Sequence, residues 1–133
     1  MVADDQLSPE FPLAEFLGLH LAAPEPGRAF AHLNADERHA NPNGVVHGAV
    51  LFAMIDTAMG FALQETLEPG ERCATTDIHV RYLRPARRGE LEAAVTVTHR
   101  GRRTATLDAQ VVTSDGALVA TATGAYMILD GLP

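Results

Sequence analysis

The chain has 133 residues, the size of one ordinary domain, so we expect residues 1–133 to fold around a single hydrophobic core. Hydrophobic residues make up 47% and charged residues 20%, a composition that excludes an intrinsically disordered chain. The formal net charge of −7 argues against binding to nucleic acid, because a phosphate backbone attracts a basic surface.

The amino-terminal residues and the cysteine content indicate where the protein works. The start, MVADD, lacks the positive charge that opens a signal peptide, and no uncharged apolar run reaches the roughly 18 residues that a membrane helix needs. Cys73 is the only cysteine, so an intrachain disulfide is excluded. We therefore expect a protein of the reducing cytoplasm without a membrane segment.

The first 27 residues are predicted to form a short helix and its lead-in. Ser8, Pro9 and Glu10 are typical of a helix start. The apolar stripe of this helix would consist of Phe11, Leu13, Phe16, Leu17 and Leu21. The sequence PEPG at residues 24–27 ends the helix, and residues 29–33 can then form a strand.

The longest apolar segment, Gly48–Gln64, predicts the central helix of the molecule. It contains no proline and is apolar on nearly every side, so we expect a helix that is buried all round. Asp56 is its only charged residue and lies in the middle, where burying a carboxylate is costly. Two interpretations stay open: a structural aspartate that pairs with an arginine or faces a wet interface, or a general base or nucleophile.

After residue 70 the pattern changes to extended segments, which predict strands at residues 73–83, 91–100, 103–113 and 118–129. The intervening turn signals indicate an antiparallel meander. An apolar helix with four long strands predicts an α+β fold in which a sheet curls around the helix. Because the outer face and the edge strand would remain uncovered, we expect a homo-oligomer.

The turn before the central helix carries polar groups next to the helix start. The sequence NPNGVVHG at residues 41–48 places Asn43 and His47 beside the first backbone N–H groups, which have no acceptor within the helix. This is a natural site for an oxyanion. A lone histidine near a helix start is more often a cap or a packed side chain than a catalytic group.

These motifs together resemble a known family. The order is NPNGVVHGA at residues 41–49, Asp56, TTD at residues 75–77, YLRPAR at residues 82–87 and GEL at residues 89–91. It is similar to the hotdog-fold thioesterases of the phenylacetate-pathway type, in the 4-hydroxybenzoyl-CoA thioesterase superfamily. The resemblance covers about residues 28 to 129. The sequence differs from the family pattern at Ala49, where the family usually has a second glycine.

The resemblance implies a hotdog fold and an acyl-CoA thioesterase activity. By this resemblance the Gly48 N–H polarises the thioester carbonyl with help from Asn43 and His47. Asp56 activates water or attacks directly, and the Thr75 hydroxyl orients the water. No cofactor is implied, since coenzyme A is part of the substrate, and the six histidines lack the close helical pairs typical of zinc sites.

The helix geometry adds a deduction that does not need the family. Gly48 and Asp56 are eight residues apart, which is about 12 Å at 1.5 Å per residue. They cannot both contact one carbonyl group. A working site would combine Gly48 of one chain with Asp56 of another, in a dimer or a homotetramer built from two dimers.

Seven arginines lie between Arg81 and Arg103, and three of them are candidates for binding coenzyme A phosphates. These are Arg84, Arg87 and Arg88, beside the turn at Pro85. Ordinary solvated charges on strand ends remain an alternative. For the acyl group, aryl and medium-chain substrates both stay open, with Phe52, Met59 and Phe61 as candidates to shape the pocket.

Other functions fit the sequence less well. The only serines are Ser8 and Ser114, neither of them in a Gly-x-Ser-x-Gly motif, so a serine hydrolase is excluded. A hotdog acyl-thioester dehydratase or hydratase is one alternative, and a non-catalytic acyl-CoA binding protein is another. Asp56 argues against the non-catalytic alternative.

Overall fold

The computed structural model describes residues 11–131. In chain order the elements are α1 (Pro12–Leu17), β1 (His20–Glu25), β2 (Arg28–Ala35), a 3-10 turn (Glu37–His39), α2 (Gly48–Gln64), β3 (Glu71–Tyr82), β4 (Gly89–Arg100), β5 (Thr104–Thr113) and β6 (Leu118–Asp130). All six strands form one antiparallel sheet in the order β1-β2-β4-β5-β6-β3. The sheet packs against α2, which confirms the predicted α+β architecture.

The core lies between α2 and the inner face of the sheet. Alternate residues of β5 and β6 are buried there, as the period of two in a half-buried strand requires. The buried side chains of α2 are Val50, Leu51, Met54, Ile55, Ala58, Met59, Ala62 and Leu63. Within residues 11–131, no helix is both long and apolar enough to cross a membrane.

The prediction that α2 is buried on all sides is wrong for a single chain. Ala49 and Phe52 are exposed, and Ala53, Asp56 and Gly60 are only partly buried. Their spacing of three or four residues places them on one side of the helix. One sheet covers only one side of a helix, so this stripe faces away from the chain's own core.

The amino-terminal prediction is partly wrong. The helix α1 has only six residues, because Gly18 adopts a left-handed conformation with φ of 78° and ends it. Leu21, predicted for the helix stripe, instead lies buried in β1, a strand that the sequence analysis missed. The proposed start at Ser8, Pro9 and Glu10 lies outside the described residues.

The strands after residue 70 occur where they were predicted, but they do not form a simple meander. Only β4, β5 and β6 pair in succession, whereas β3 pairs with β6 and lies at the sheet edge. β2 occupies the place beside β4 that a meander would give to β3. The segment at Pro85 is therefore a crossover between distant strands, while Asp115 and Gly116 lie in the hairpin turn between β5 and β6.

A β-bulge interrupts β3 between Thr75 and Asp77. Before the bulge Thr75 lies opposite Tyr126 of β6, and after it Ile78 lies opposite Gly124. An extra residue in one strand changes which residues face inward. As a result both Thr75 and Tyr82 face the helix, although they are an odd number of positions apart.

Candidate active site

The Asp56 carboxylate lies on the partly buried stripe of α2 and is held by two hydroxyl groups. The Thr75 hydroxyl of β3 donates to Oδ1 at 2.8 Å, and the Tyr126 hydroxyl of β6 donates to the same oxygen at 2.6 Å. None of the ion pairs within residues 11–131 involves Asp56. Within these residues Asp56 is therefore not a structural aspartate that pairs with an arginine.

Tyr126 is the residue of this cluster that the sequence analysis missed. Its side chain is 2% exposed, and its hydroxyl also lies 2.9 Å from the main-chain oxygen of Asp56. Burial, followed by the hydrogen bond to Asp56, raises the pKa of Tyr126 far above its usual range. The phenol therefore stays a hydrogen-bond donor. A buried tyrosine needs a polar partner for its hydroxyl group. This requirement is the signal that could have pointed to Tyr126 from the sequence.

Cys73 lies two residues before Thr75 on the same face of β3 and is half-buried. Burial, together with the negative charge of Asp56, raises the pKa of the Cys73 thiol. A thiol that stays protonated is a poor nucleophile. Its surroundings are therefore those of a small side chain packed against the core rather than of a catalytic group.

The start of α2 contains the second group of predicted site residues. His47 is the helix cap, with Nδ1 accepting the Ala49 N–H at 2.9 Å. The Gly48 N–H has no acceptor among residues 11–131. Asn43 lies in the exposed turn just before, where its N–H donates to Asn41 Oδ1 at 2.9 Å.

Tyr82 of β3 covers the helix start. Its hydroxyl donates to the Gly48 carbonyl oxygen at 2.9 Å, and a Cβ atom at position 48 would lie only 3.1 Å from the Tyr82 ring. A larger residue at position 48 would require this ring to shift by a few tenths of an ångström. A cleft of about 370 Å³ adjoins it, lined among others by Gly48, Leu51, Tyr82, Leu83 and Arg84.

The three candidate arginines lie in different surroundings. Arg84 borders the cleft beside Gly48, which brings one predicted coenzyme A contact to the predicted oxyanion site. Arg88 pairs with Glu37 at 3.9 Å, and both side chains are exposed. Arg87 is exposed and is not among the residues that line this cleft.

Within one chain, the predicted site residues form two separate groups. Asp56 lies with Thr75 and Tyr126, whereas Gly48 lies with His47, Tyr82 and Arg84. Because α2 is unbroken from Gly48 to Gln64, the two groups are about 12 Å apart along the helix. The carboxylate and the oxyanion site of one chain cannot act on the same carbonyl group.

Comparison with known proteins identifies the family to which this arrangement belongs. The family model of the Thioesterase superfamily matches residues 43–120, which include the helix start, Asp56 and Thr75. The chain belongs to this superfamily. It is 29% identical over 134 aligned positions to the medium/long-chain acyl-CoA thioesterase YigI of Salmonella typhimurium, covering 88% of this chain and 85% of that protein.

The same similarity extends to solved structures. The PaaI protein of Escherichia coli, named an acyl-coenzyme A thioesterase, is 27% identical over 108 residues, which are 80% of this chain and 75% of that one. Its structure superimposes with a TM-score of 0.85, covering 92% of this chain and 87% of PaaI. A thioesterase of Haemophilus influenzae gives 0.85 at 26% identity, covering 91% and 85%.

These findings confirm the hotdog fold and the resemblance to thioesterases of the phenylacetate-pathway type. The protein is a thioester hydrolase.

Proposed function

We propose that this thioesterase hydrolyses the thioester of an aryl- or medium-chain acyl-CoA, releasing the free acid and coenzyme A. The observation that carries the proposal is the Asp56 carboxylate, held by two hydroxyl donors on the open stripe of α2. The named activities of PaaI and YigI support an acyl-CoA substrate. Hydrolysis at this site uses no cofactor, and the reducing cytoplasm is the compartment we propose.

In the proposed reaction, the Asp56 carboxylate takes a proton from a water molecule as the water attacks the thioester carbonyl carbon. The carbonyl oxygen becomes negative, and the Gly48 N–H at the helix start stabilises this charge, with Asn43 and His47 beside it. The tetrahedral intermediate then collapses, the carbon–sulfur bond breaks, and coenzyme A leaves as its thiol with the proton that Asp56 had taken from the water, which restores the carboxylate. Thr75 keeps the carboxylate in position for the water.

The distance of about 12 Å within α2 supports an active site shared between two chains. In this arrangement the thioester lies between Gly48 of one protomer and Asp56 of its partner. The partly exposed apolar stripe of α2, with Phe52 at 36% exposure, supplies a surface that the second chain and the acyl group would cover.

The edge strand β3 supports one way of forming this dimer. β3 has 12 residues and pairs only with β6, so its other edge presents unpaired backbone groups within the described chain. Thr75 beside Asp56 and Tyr82 beside Gly48 both lie on this strand. Antiparallel pairing of two β3 strands with Ile78 of one chain opposite His79 of the other places Thr75 of one chain opposite Tyr82 of its partner.

Substitution of Asp56 tests the proposal directly. We expect Asp56→Asn to keep the fold and the oligomer but to lower thioester hydrolysis about 100- to 10,000-fold, because the general base is lost. The measurement is the release of free coenzyme A thiol over a panel of aryl- and medium-chain acyl-CoAs. Asp108→Asn, on the exposed outer face of β5, is the matched control and should keep full activity. Full turnover by Asp56→Asn would contradict the proposal.

A further inference from the structure

Two hydroxyl groups from different strands converge on a single oxygen of Asp56. Thr75 Oγ1 and Tyr126 Oη both donate to Oδ1, at 2.8 and 2.6 Å. Within residues 11–131, Oδ2 has no hydrogen-bond partner. The carboxylate is therefore held by one oxygen, while the other oxygen is presented on the partly exposed stripe of α2.

Of the two donors, Tyr126 is held more firmly. Its side chain is 2% exposed, whereas Thr75 is exposed on the edge strand. Thr75 and Tyr126 are directly opposite each other in the β3–β6 pairing, immediately before the bulge. Because a carboxylate is a stronger acceptor than a carbonyl, the single phenol proton belongs to the 2.6 Å contact with Oδ1 and not to the main-chain oxygen at 2.9 Å.

We propose that Tyr126 is a positioning residue for the hydrolysis, holding Asp56 by Oδ1 so that Oδ2 faces the reacting water. The inference rests on the proposed function of Asp56 as the base. A charge-assisted hydrogen bond from a buried phenol fixes the direction of the carboxylate and also stabilises its ionised form. Loss of the phenol therefore lets the carboxylate take up a proton at higher pH.

The surroundings of Asp56 make this effect measurable. The titratable side chains that face it from the packed strands are Cys73 of β3 and Tyr126 of β6, and α2 carries no other charged residue. Burial raises the pKa of both Cys73 and Tyr126, so both stay neutral in acid and near neutral pH. Neither side chain therefore carries a charge beside the Asp56 carboxylate in that pH range.

The test compares Tyr126→Phe with the wild type over a range of pH. We expect kcat to fall about tenfold with little change in KM, because the base is less well oriented. We also expect the acid limb of the kcat profile to move to higher pH, because one hydrogen bond to the ionised carboxylate is lost. Tyr82→Phe is the matched control: it removes a phenol bound to a carbonyl, so its acid limb should not move.

A complementary experiment strengthens the hydrogen bond instead of removing it. The sequence has two tyrosines, so 3-fluorotyrosine incorporated into Tyr82→Phe labels position 126 alone. The more acidic phenol is the better donor, and the acid limb should move to lower pH. The fluorinated protein keeps a hydroxyl at position 126, so this experiment can still be carried out if Tyr126→Phe does not fold.

The outcomes separate this inference from the proposed function. If Asp56→Asn is inactive but the acid limb of Tyr126→Phe matches that of the wild type, the positioning role is overturned and the base assignment stands. If Asp56→Asn is fully active, the base assignment fails. The positioning role of Tyr126, which rests on that assignment, is then overturned as well.

Discussion

Gly124 of β6 packs closely against Met59 of the central helix. A Cβ atom at this position would lie 2.6 Å from Met59 Sδ and 3.2 Å from Met59 Cε. Met59 is fully buried and cannot turn away into solvent. Met59, suggested from the sequence as a residue that shapes the acyl pocket, is therefore packed between helix and sheet, whereas Phe52 remains on the open stripe.

This contact predicts the effect of a single added methyl group. Gly124→Ala should destabilise the protein by about 1–3 kcal/mol, because the packed core must move to admit it. Denaturant unfolding of Gly124→Ala, Met59→Ala and the double variant measures the coupling between the two positions. The two effects should be far from additive, since removing the Met59 side chain relieves the clash. Additive effects would show that the strain lies elsewhere.

The junction between α2 and β3 depends on one ion pair. Arg100 at the end of β4 donates to Glu71 Oε1 at 2.6 Å and to the Thr66 main-chain oxygen at 3.3 Å. The Glu68 N–H also donates to Glu71 Oε1 at 2.8 Å. These bonds connect the residues after the helix with the first residue of β3, the strand that carries Thr75 and Tyr82.

This network predicts an acid-sensitive part of the stability. The Glu68 N–H, and then Arg100, hold the pKa of Glu71 below its ordinary value of 4.5. A lowered pKa in the folded state stabilises the fold above about pH 4.5, and this contribution is lost as the pH falls through the folded value. Urea unfolding midpoints of wild type and Glu71→Gln should therefore differ at pH 7 and converge in acid. A constant difference would contradict the assignment.

Contacts of the buried His39 side chain hold α1 near the candidate site. The fully buried His39 accepts the Asp36 N–H at Nδ1, and its Nε2 lies 2.8 Å from the Leu17 main-chain oxygen. The His39 carbonyl in turn accepts the His47 N–H at 2.8 Å. The short helix, the 3-10 turn and the helix cap beside Gly48 are thereby connected through one side chain and its backbone.

At the scale of the whole molecule, residues 11–131 leave uncovered two surfaces that adjoin the candidate site. One is the free edge of β3, and the other is the stripe of α2 that includes Phe52 and Asp56. Burying an exposed edge and an apolar stripe is a common basis for oligomers. Both surfaces adjoin the candidate catalytic groups, so assembly and catalysis are expected to depend on each other.

Mixing two inactive variants tests whether the site is shared. Chains carrying Asp56→Asn and chains carrying Gly48→Val should each be inactive, because each lacks one half of every site. After unfolding and refolding together in equal amounts, half of the dimers are hybrids with one intact site, so activity should return to about a quarter of the wild type. Native mass spectrometry measures the hybrid fraction. Hybrids that form but remain inactive would contradict the shared site.

The sequence was sufficient for the central features of the fold. The bounds of α2, Gly48–Gln64, were predicted as the structure has them, and the four strands after residue 70 lie within two residues of their predicted ends. Local periodicity and turn residues determine such elements, because a helix or a hairpin depends on neighbours a few residues away. The motif from Asn41 to Ala49 likewise identified the thioesterase family.

Tertiary structure alone decided how these elements combine. Periodicity shows that a strand has an apolar face but not which strand it pairs with, so the position of β3 beside β6 and the strand β1 were missed. The contacts that complete the candidate site join residues far apart in sequence, 70 positions for Asp56 and Tyr126 and 34 for Gly48 and Tyr82. Such contacts arise only when helix and sheet pack together. Residue types and spacing indicated the candidate catalytic groups, and packing determined what holds them in place.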